Sequence, residues 1–269
     1  MDSKSIVRKI IMEFNDEPLY LHDIEDFQGS KDYLNIMQAS YLRTFKECLS
    51  ILPNTNSTIC ELGSYVGILA RALSYMGYNV NACDIPFFYD RKHVKEYFKK
   101  YDIKSFYFDL KDYKLPFKKS SQDLVIACEI IEHLNFNPLP VIKEINRVLK
   151  IGGYFYVAMP NSESFIKRLR YFLNGRQPSF TVGQLFEQLK PDKKMLVGLH
   201  WREYSISEVC EMVEPLGFKL FSSKVCTDIN LNYGSFYKNL LKKLIFSFPG
   251  CKPNQVVIFK KMRNSKIKF

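Results

Sequence analysis

Histidine and tryptophan are scarce in this chain, with four and one among 269 residues. The seven cysteines (Cys48, Cys60, Cys83, Cys128, Cys210, Cys226 and Cys251) include no CxxC pair. Neither residue type shows ligand spacing, so no metal is expected. Cys60, Cys83 and Cys128 lie inside apolar runs and read as small core residues in a reducing compartment, which sets the expectation of a cytoplasmic location. No apolar run reaches the roughly 18 residues a membrane helix needs. The opening stretch MDSKSIVRKIIMEFNDE carries acids and no long apolar core, which argues against a secretory leader. Acid is missing from one region altogether. From Leu231 to Phe269 there are nine Lys or Arg and no Asp or Glu, within a net charge of +11. Such a surface draws nucleic acid, acidic lipid or phosphorylated compounds, or it only solvates a tail. Nucleic-acid binding and peripheral membrane contact through the basic C-terminal region both stay open.

What is present is alternation. Hydrophobic residues make up 46% and charged residues 25%, as in an ordinary globular protein. Residues 1–50 read as an N-terminal helical cap, with Tyr33, Met37, Tyr41 and Phe45 at helical spacing, a stripe that predicts packing. The loop PNTNS follows, and then strands and helices alternate. TICELG is a strand and YVGILARALSYMG a helix stopping at Gly77. YNVNACDIP is a strand, RKHVKEYFKKY a basic helix, IKSFYFDL a strand and SQDLVIACEI a strand. PLPVIKEINRVLK is a helix with Gly152–Gly153 as its stop, and YFYVAMPN is a fifth strand. Residues 162–200 break the pattern and read as a lid insertion. In 201–269, Ser205 or Ser207 caps a helix ending at Gly217, and FKLFSSKVCTDIN and NQVVIFKKM supply two last strands. FYKNLLKKLIF, between them, is expected to pack as a helix on the sheet edge. The fold expected is α/β, a doubly wound, seven-stranded, mostly parallel sheet of Rossmann-like type with a helical lid. Its core is 51–161, completed by 201–269.

Ligands of such sheets lie beyond the carboxyl ends of the strands. Polar residues stand there: Glu61, Asp84, Asp109, Glu129 and Asn161. The first turn reads ICELGSYVG, where Gly63 and Gly67 lack the middle glycine of a dinucleotide fingerprint. Glu61 would repel a pyrophosphate and suits a cationic group. Asp84, 23 residues on, suits a ribose diol. Asp109 suits an adenine amino group. A ligand with ribose, adenine and a cationic amino-acid end but no phosphate is S-adenosylmethionine.

The segments ICELGSYVG, VNACDIP, FDL, LPFKKSSQDLVIACEIIEHL, INRVLKIGGYFYVAMPN and HWREYSISEVCEMVEPLGF, in that order, resemble the class I S-adenosylmethionine-dependent methyltransferases. The subgroup resembled is that of small-molecule enzymes related to ubiquinone-biosynthesis methyltransferases. The resemblance implies that Glu61, Gly63, Ser64, Tyr65 and Gly67 enclose the methionine part and that Asp84 and Ile85 hold the ribose. It places Asp109 and Leu110 at the adenine, and Glu129 and Ile130 at the boundary with the acceptor. Tyr65 departs from the glycine common in the family, so its side chain points away from the cofactor or lies over it.

A hydroxyl acceptor needs a base for its proton, and His200, His133 and Glu132 are the candidates, in that order. The implied activity is methyl transfer to a small-molecule hydroxyl, on a glycan, a lipid-linked compound or another metabolite. An RNA methyltransferase is the enzymatic alternative, and a methyltransferase-like binding protein without turnover is the other. No obligate protein partner is evident.

Overall fold

The computed structural model describes residues 2–16, 27–86, 92–175, 199–227 and 236–267. Seven strands form one sheet: β1 (Thr58–Leu62), β2 (Asn79–Asp84), β3 (Lys104–Tyr107), β4 (Gln122–Cys128), β5 (Leu149–Pro160), β6 (Phe218–Cys226) and β7 (Asn254–Lys261). Their order is β3-β2-β1-β4-β5-β7-β6. The first five run parallel, and β7 lies antiparallel between β5 and β6. The chain reverses its lateral direction between β3 and β4. The carboxyl ends of β1 and β4 therefore meet at a switch point, where open parallel sheets hold their ligands.

The helices are α1 (Ser3–Asp16), α2 (Phe27–Ile51), α3 (Ile68–Tyr75), α4 (Lys92–Lys100), α5 (Leu139–Val148), α6 (Phe165–Asn174), α7 (Ile206–Val213) and α8 (Phe236–Ser247). They cover both faces, and the strands show why. In β4, Leu124 and Ile126 join the core beneath α1–α4, while Val125 and Ala127 join the one beneath α5 and α7. In β5, Tyr156 and Ala158 alternate with Phe155, Val157 and Met159 in the same way. Side chains of period two, apolar on both faces, are what a buried parallel strand requires.

Local signals fix several ends. Gly77, at φ 94°, follows the close of α3. Ser205 rather than Ser207 caps α7: its hydroxyl accepts from Glu208 N–H, and the Glu208 side chain accepts from Ser205 N–H at 2.8 Å. This reciprocal pair is a capping box.

Two expectations change. Gly152–Gly153 does not stop α5, which ends at Val148. The pair sits inside β5, where pairing with β4 jumps from Gln122–Leu149 to Leu124–Tyr154. Gly152 has φ +83°, and a Cβ on Gly153 would lie 2.9 Å from the Asp123 carbonyl. The glycines serve a bulge. In α8, Leu240 and Leu244 stay 57% and 62% exposed rather than packing on the sheet edge. Among the described residues no helix is long and apolar enough to cross a membrane. Cys60 and Cys83 are buried side by side, with Sγ atoms 3.6 Å apart, as the apolar runs predict. Most of the expected lid, including Arg176, Phe180 and Phe186, lies outside the described residues, as does His22.

Candidate functional site at the carboxyl edge of the sheet

The turn after β1 is built by two left-handed glycines. A Cβ on Gly63 (φ +67°) would come within 1.9 Å of Ile130 Cδ1, and one on Gly67 (φ +74°) would meet the Phe98 ring at 2.6 Å. Between them, Ser64 donates its N–H to the Cys83 carbonyl at 3.0 Å, and its buried hydroxyl bonds the same oxygen. Ser64 thus ties the turn to β2. Tyr65 also adopts positive φ, 49°. Its N–H donates to Asp84 Oδ2 at 2.7 Å, while Asp84 Oδ1 accepts Ile85 N–H at 2.8 Å. The end of β2 and the glycine turn are thereby locked into one frame.

Glu61 stands behind this frame, buried at 5% exposure. Ala70 N–H, in the first turn of α3, bonds its carboxyl, but Oε2 has no partner among the described residues. Burial, and then the Asp84 charge, push the Glu61 carboxyl up to about 8. Burial pushes Asp84 up to about 6 against the two backbone N–H groups that oppose it. Two buried carboxyls beside a helix N-terminus have the chemistry to hold a cationic or hydroxyl-rich ligand. Asp109 is placed differently. Its Oδ1 caps a short turn through Lys111 N–H, and its other oxygen pairs with Lys111 Nζ at 2.9 Å. Leu110 packs half-buried beside it.

Across the switch point, Glu129 follows β4 at φ 53° and donates its N–H to the Ala158 carbonyl. Ile130 lies over Gly63, and the short turn Ile131–His133 presents Glu132 and His133. Glu132 is fully buried, with its carboxyl facing that of Glu129. Burial, then the facing Glu129 charge, drive its carboxyl well above the usual range. The segment beginning at Leu199 is pinned here, since Trp201 N–H donates to the Glu132 carbonyl at 2.7 Å. This brings His200 against His133, with ring centroids 4.8 Å apart. His133 Nδ1 meets the Leu199 carbonyl at 2.9 Å, and His200 Nδ1 meets Glu203 Oε1 at 3.1 Å. Lys167 of α6 also pairs with Glu203. Burial works against the Glu203 charge, but the bonds from His200 and Lys167 hold its carboxyl below the usual range.

The fold thus brings Glu61, Gly63, Tyr65, Gly67, Asp84 and Ile85 around one turn, and Glu129, Ile130, Glu132, His133 and His200 around its neighbour. Sequence reading took Tyr33 and Tyr41 of α2 for packing alone. In the fold, Tyr33 meets Tyr65 edge-on at 5.8 Å. Its ring is 43% exposed, yet its hydroxyl is pushed upward by burial first and then by Glu129, Tyr65 and Glu132. The Tyr41 hydroxyl is pushed up likewise, with Glu61 among the charges that face it. Glu203 was also missed. No local signal marks it, because its role comes from the return of the chain to Glu132.

A methyltransferase-domain family matches residues 60–157, from the middle of β1 into β5. The likeness of residues 60–157 is to a methyltransferase domain. Two uncharacterized proteins of Methanocaldococcus jannaschii are similar in sequence. One is 42% identical over 53 residues, 20% of this chain and 23% of that protein. The other is 30% identical over 105 residues, 39% of this chain and 42% of that protein. The matches therefore span less than half of these relatives. In structure, the chain resembles a complex of the Haloferax volcanii Trm112 methyltransferase activator with a methyltransferase, with TM-score 0.59, 17% identity and 84% and 92% of the two chains covered. It also resembles a Thermotoga maritima S-adenosylmethionine-dependent methyltransferase, with TM-score 0.56, 19% identity and 91% and 100% covered. At these identities the likeness is one of fold.

Proposed function

We propose that the whole protein transfers a methyl group from S-adenosylmethionine to a hydroxyl of a small-molecule acceptor. The observation that carries this reading is the convergence of Glu61 and Asp84 on the Gly63–Gly67 turn. A buried acid with an orphaned oxygen suits a cationic amino-acid end, and a turn that a Cβ would fill suits close backbone approach. Asp84, oriented by two backbone N–H groups, offers its remaining lone pairs to a ribose diol. Asp109 and Leu110 flank the adenine side, and Glu129 and Ile130 divide cofactor from acceptor. When bound, the cofactor supplies a methyl group already activated by its sulfonium, so alignment by the chain contributes much of the rate. His200, His133 and Glu132 handle the acceptor's hydroxyl proton, with Tyr33 and Tyr41 closing the site from above. Fold likeness alone does not select an acceptor. Exposed Phe165 and Tyr171 with Arg168 on α6 favour one that joins an apolar or sugar surface to a negative group.

Calorimetric titration of S-adenosylhomocysteine into the purified chain tests the cofactor site; absence of heat, with Asp84→Asn indistinguishable from the parent, ends the proposal. Transfer of label from methyl-tritiated cofactor to a metabolite pool supports a small-molecule acceptor. Transfer to RNA instead, or cofactor binding with no labelled product, replaces it with one of the two alternatives.

A further inference from the structure

A cleft of about 410 Å³ opens where β5 ends, α6 and α7 begin, and the turn Pro249–Cys251 leads into β7. Small-molecule sites span about 300–1,000 Å³ and set a few polar groups in apolar walls. Pro160 pairs with Asn254, so the start of β7 lies on the same sheet edge as the glycine turn. Gln255 of β7 lines the cleft and is 1% exposed. Its Nε2 donates to the Tyr204 carbonyl at 2.5 Å and to the Pro160 carbonyl at 3.3 Å. Carbonyls accept only from the amide NH₂, which fixes the orientation of the group. Oε1 then points away from both, and it has no hydrogen-bond partner among the described residues. A buried amide oxygen left in that state is rare, and the cleft is the space from which a ligand O–H can meet it. Asn161, one of the polar residues expected at the strand ends, stiffens the rim. Its Nδ2 donates to the Lys252 carbonyl at 3.0 Å, and its Oδ1 accepts Glu163 N–H at 3.0 Å. Arg168 Nη2 meets Glu163, the one acid lining the cleft, at 3.0 Å. Both side chains are more than half exposed, and such a pair is weak and leaves the other donors of the guanidinium fork available. Phe165 adds an exposed ring, and Ile206 and Val225 an apolar wall.

We infer that this cleft binds an anionic monosaccharide, a hydroxylated ring carrying one phosphate or carboxylate group. A ring hydroxyl donates to Gln255 Oε1, the C–H face of the ring lies on Phe165, and Arg168 takes the anion. The acid-free stretch from Leu231 to Phe269 supplies β7 and the turn before it, so that wall brings no opposing carboxylate. Lys167, beside Arg168 on α6, pairs with Glu203, which in turn holds His200. The cleft and the histidine side therefore share the start of α6. That the sugar is the non-reacting part of the methyl acceptor rests on the methyl-transfer reading; the sugar site itself does not.

The test is saturation-transfer NMR on the full chain, titrated separately with glucose 1-phosphate, glucuronate, glucose and inorganic phosphate. S-adenosylhomocysteine titration is run on the same sample. One of the two anionic sugars is expected to bind more tightly than glucose or phosphate, and which one does so identifies the anion. Gln255→Met, Phe165→Ala and Arg168→Ala should each weaken it about two- to tenfold. Arg168→Ala should also erase the preference over glucose, whereas Gln255→Met weakens the charged and uncharged sugars alike. Phe165 and Arg168 are exposed, so their variants stand should Gln255→Met fail to fold. Failure of both anionic sugars to bind at about 10 mM, equal binding by the parent and Arg168→Ala, or phosphate alone binding as tightly as its sugar ester overturns the inference. Sugar binding without S-adenosylhomocysteine binding leaves the cleft standing and removes its assignment to a methyl acceptor.

Discussion

Gly63→Ala separates two physical demands made on one residue. The position has φ +67°, and an added Cβ would meet Ile130 Cδ1 at 1.9 Å. Left-handed backbone costs an alanine about 1–2 kcal/mol, and overpacking against a neighbour adds about 1–3 kcal/mol. The sum, about 2–5 kcal/mol, lowers the midpoint of thermal unfolding by roughly 4–20 °C at the slope expected for a chain of this size. The two parts can be told apart, because only the second involves Ile130. Ile130→Ala alone opens a half-buried space and destabilises in its own right. Combined with Gly63→Ala, it removes the clash and leaves the backbone strain. The double variant is therefore more stable than the sum of the singles predicts, with a coupling of about 1–3 kcal/mol. Urea unfolding of the parent, both singles and the double measures this, read from midpoints at constant slope. Additivity within about 0.5 kcal/mol would show that Ile130 does not confine the turn, and the close approach of the β1 and β4 ends would be wrong.

Stability is expected to fall as pH rises from about 4.5 to about 8, because Glu61 is held up to about 8 and the folded state keeps a proton that the unfolded state releases. Thermal melts across that range should show the decline, and Glu61→Gln should flatten it; an unchanged slope refutes the burial argument. A cationic ligand beside Glu61 favours its charged form, so S-adenosylhomocysteine should bind with proton release below about pH 8, measured by calorimetry in two buffers of different ionisation enthalpy. Asp84→Asn is expected to weaken that binding by about 1.5–3 kcal/mol, roughly 10- to 150-fold, the loss of a charged hydrogen bond. Ser205→Ala removes the α7 capping box and should cost about 1 kcal/mol, a few degrees in the melt, with cofactor affinity unchanged.

The sequence alone determined the alternation of strands and helices and the acids that end β1 and β2. Both are local: side-chain period sets which face is buried, and glycine sets where the chain turns. Gly152–Gly153 was misread because a helix stop and a strand bulge demand the same backbone freedom. Only the pairing of β5 with Asp123 on β4 distinguishes them. The Glu132–His133–His200 cluster lay beyond spacing rules, since His133 and Leu199 meet across 66 residues. Tertiary structure decided it by anchoring Trp201 N–H on the Glu132 carbonyl, which holds His200 beside the turn that follows β4. It likewise set Tyr33 edge-on against Tyr65 of the glycine turn, while Tyr41 and Phe45 of the same stripe pack in the core. A helical period records which residues share a face, but not what that face will meet.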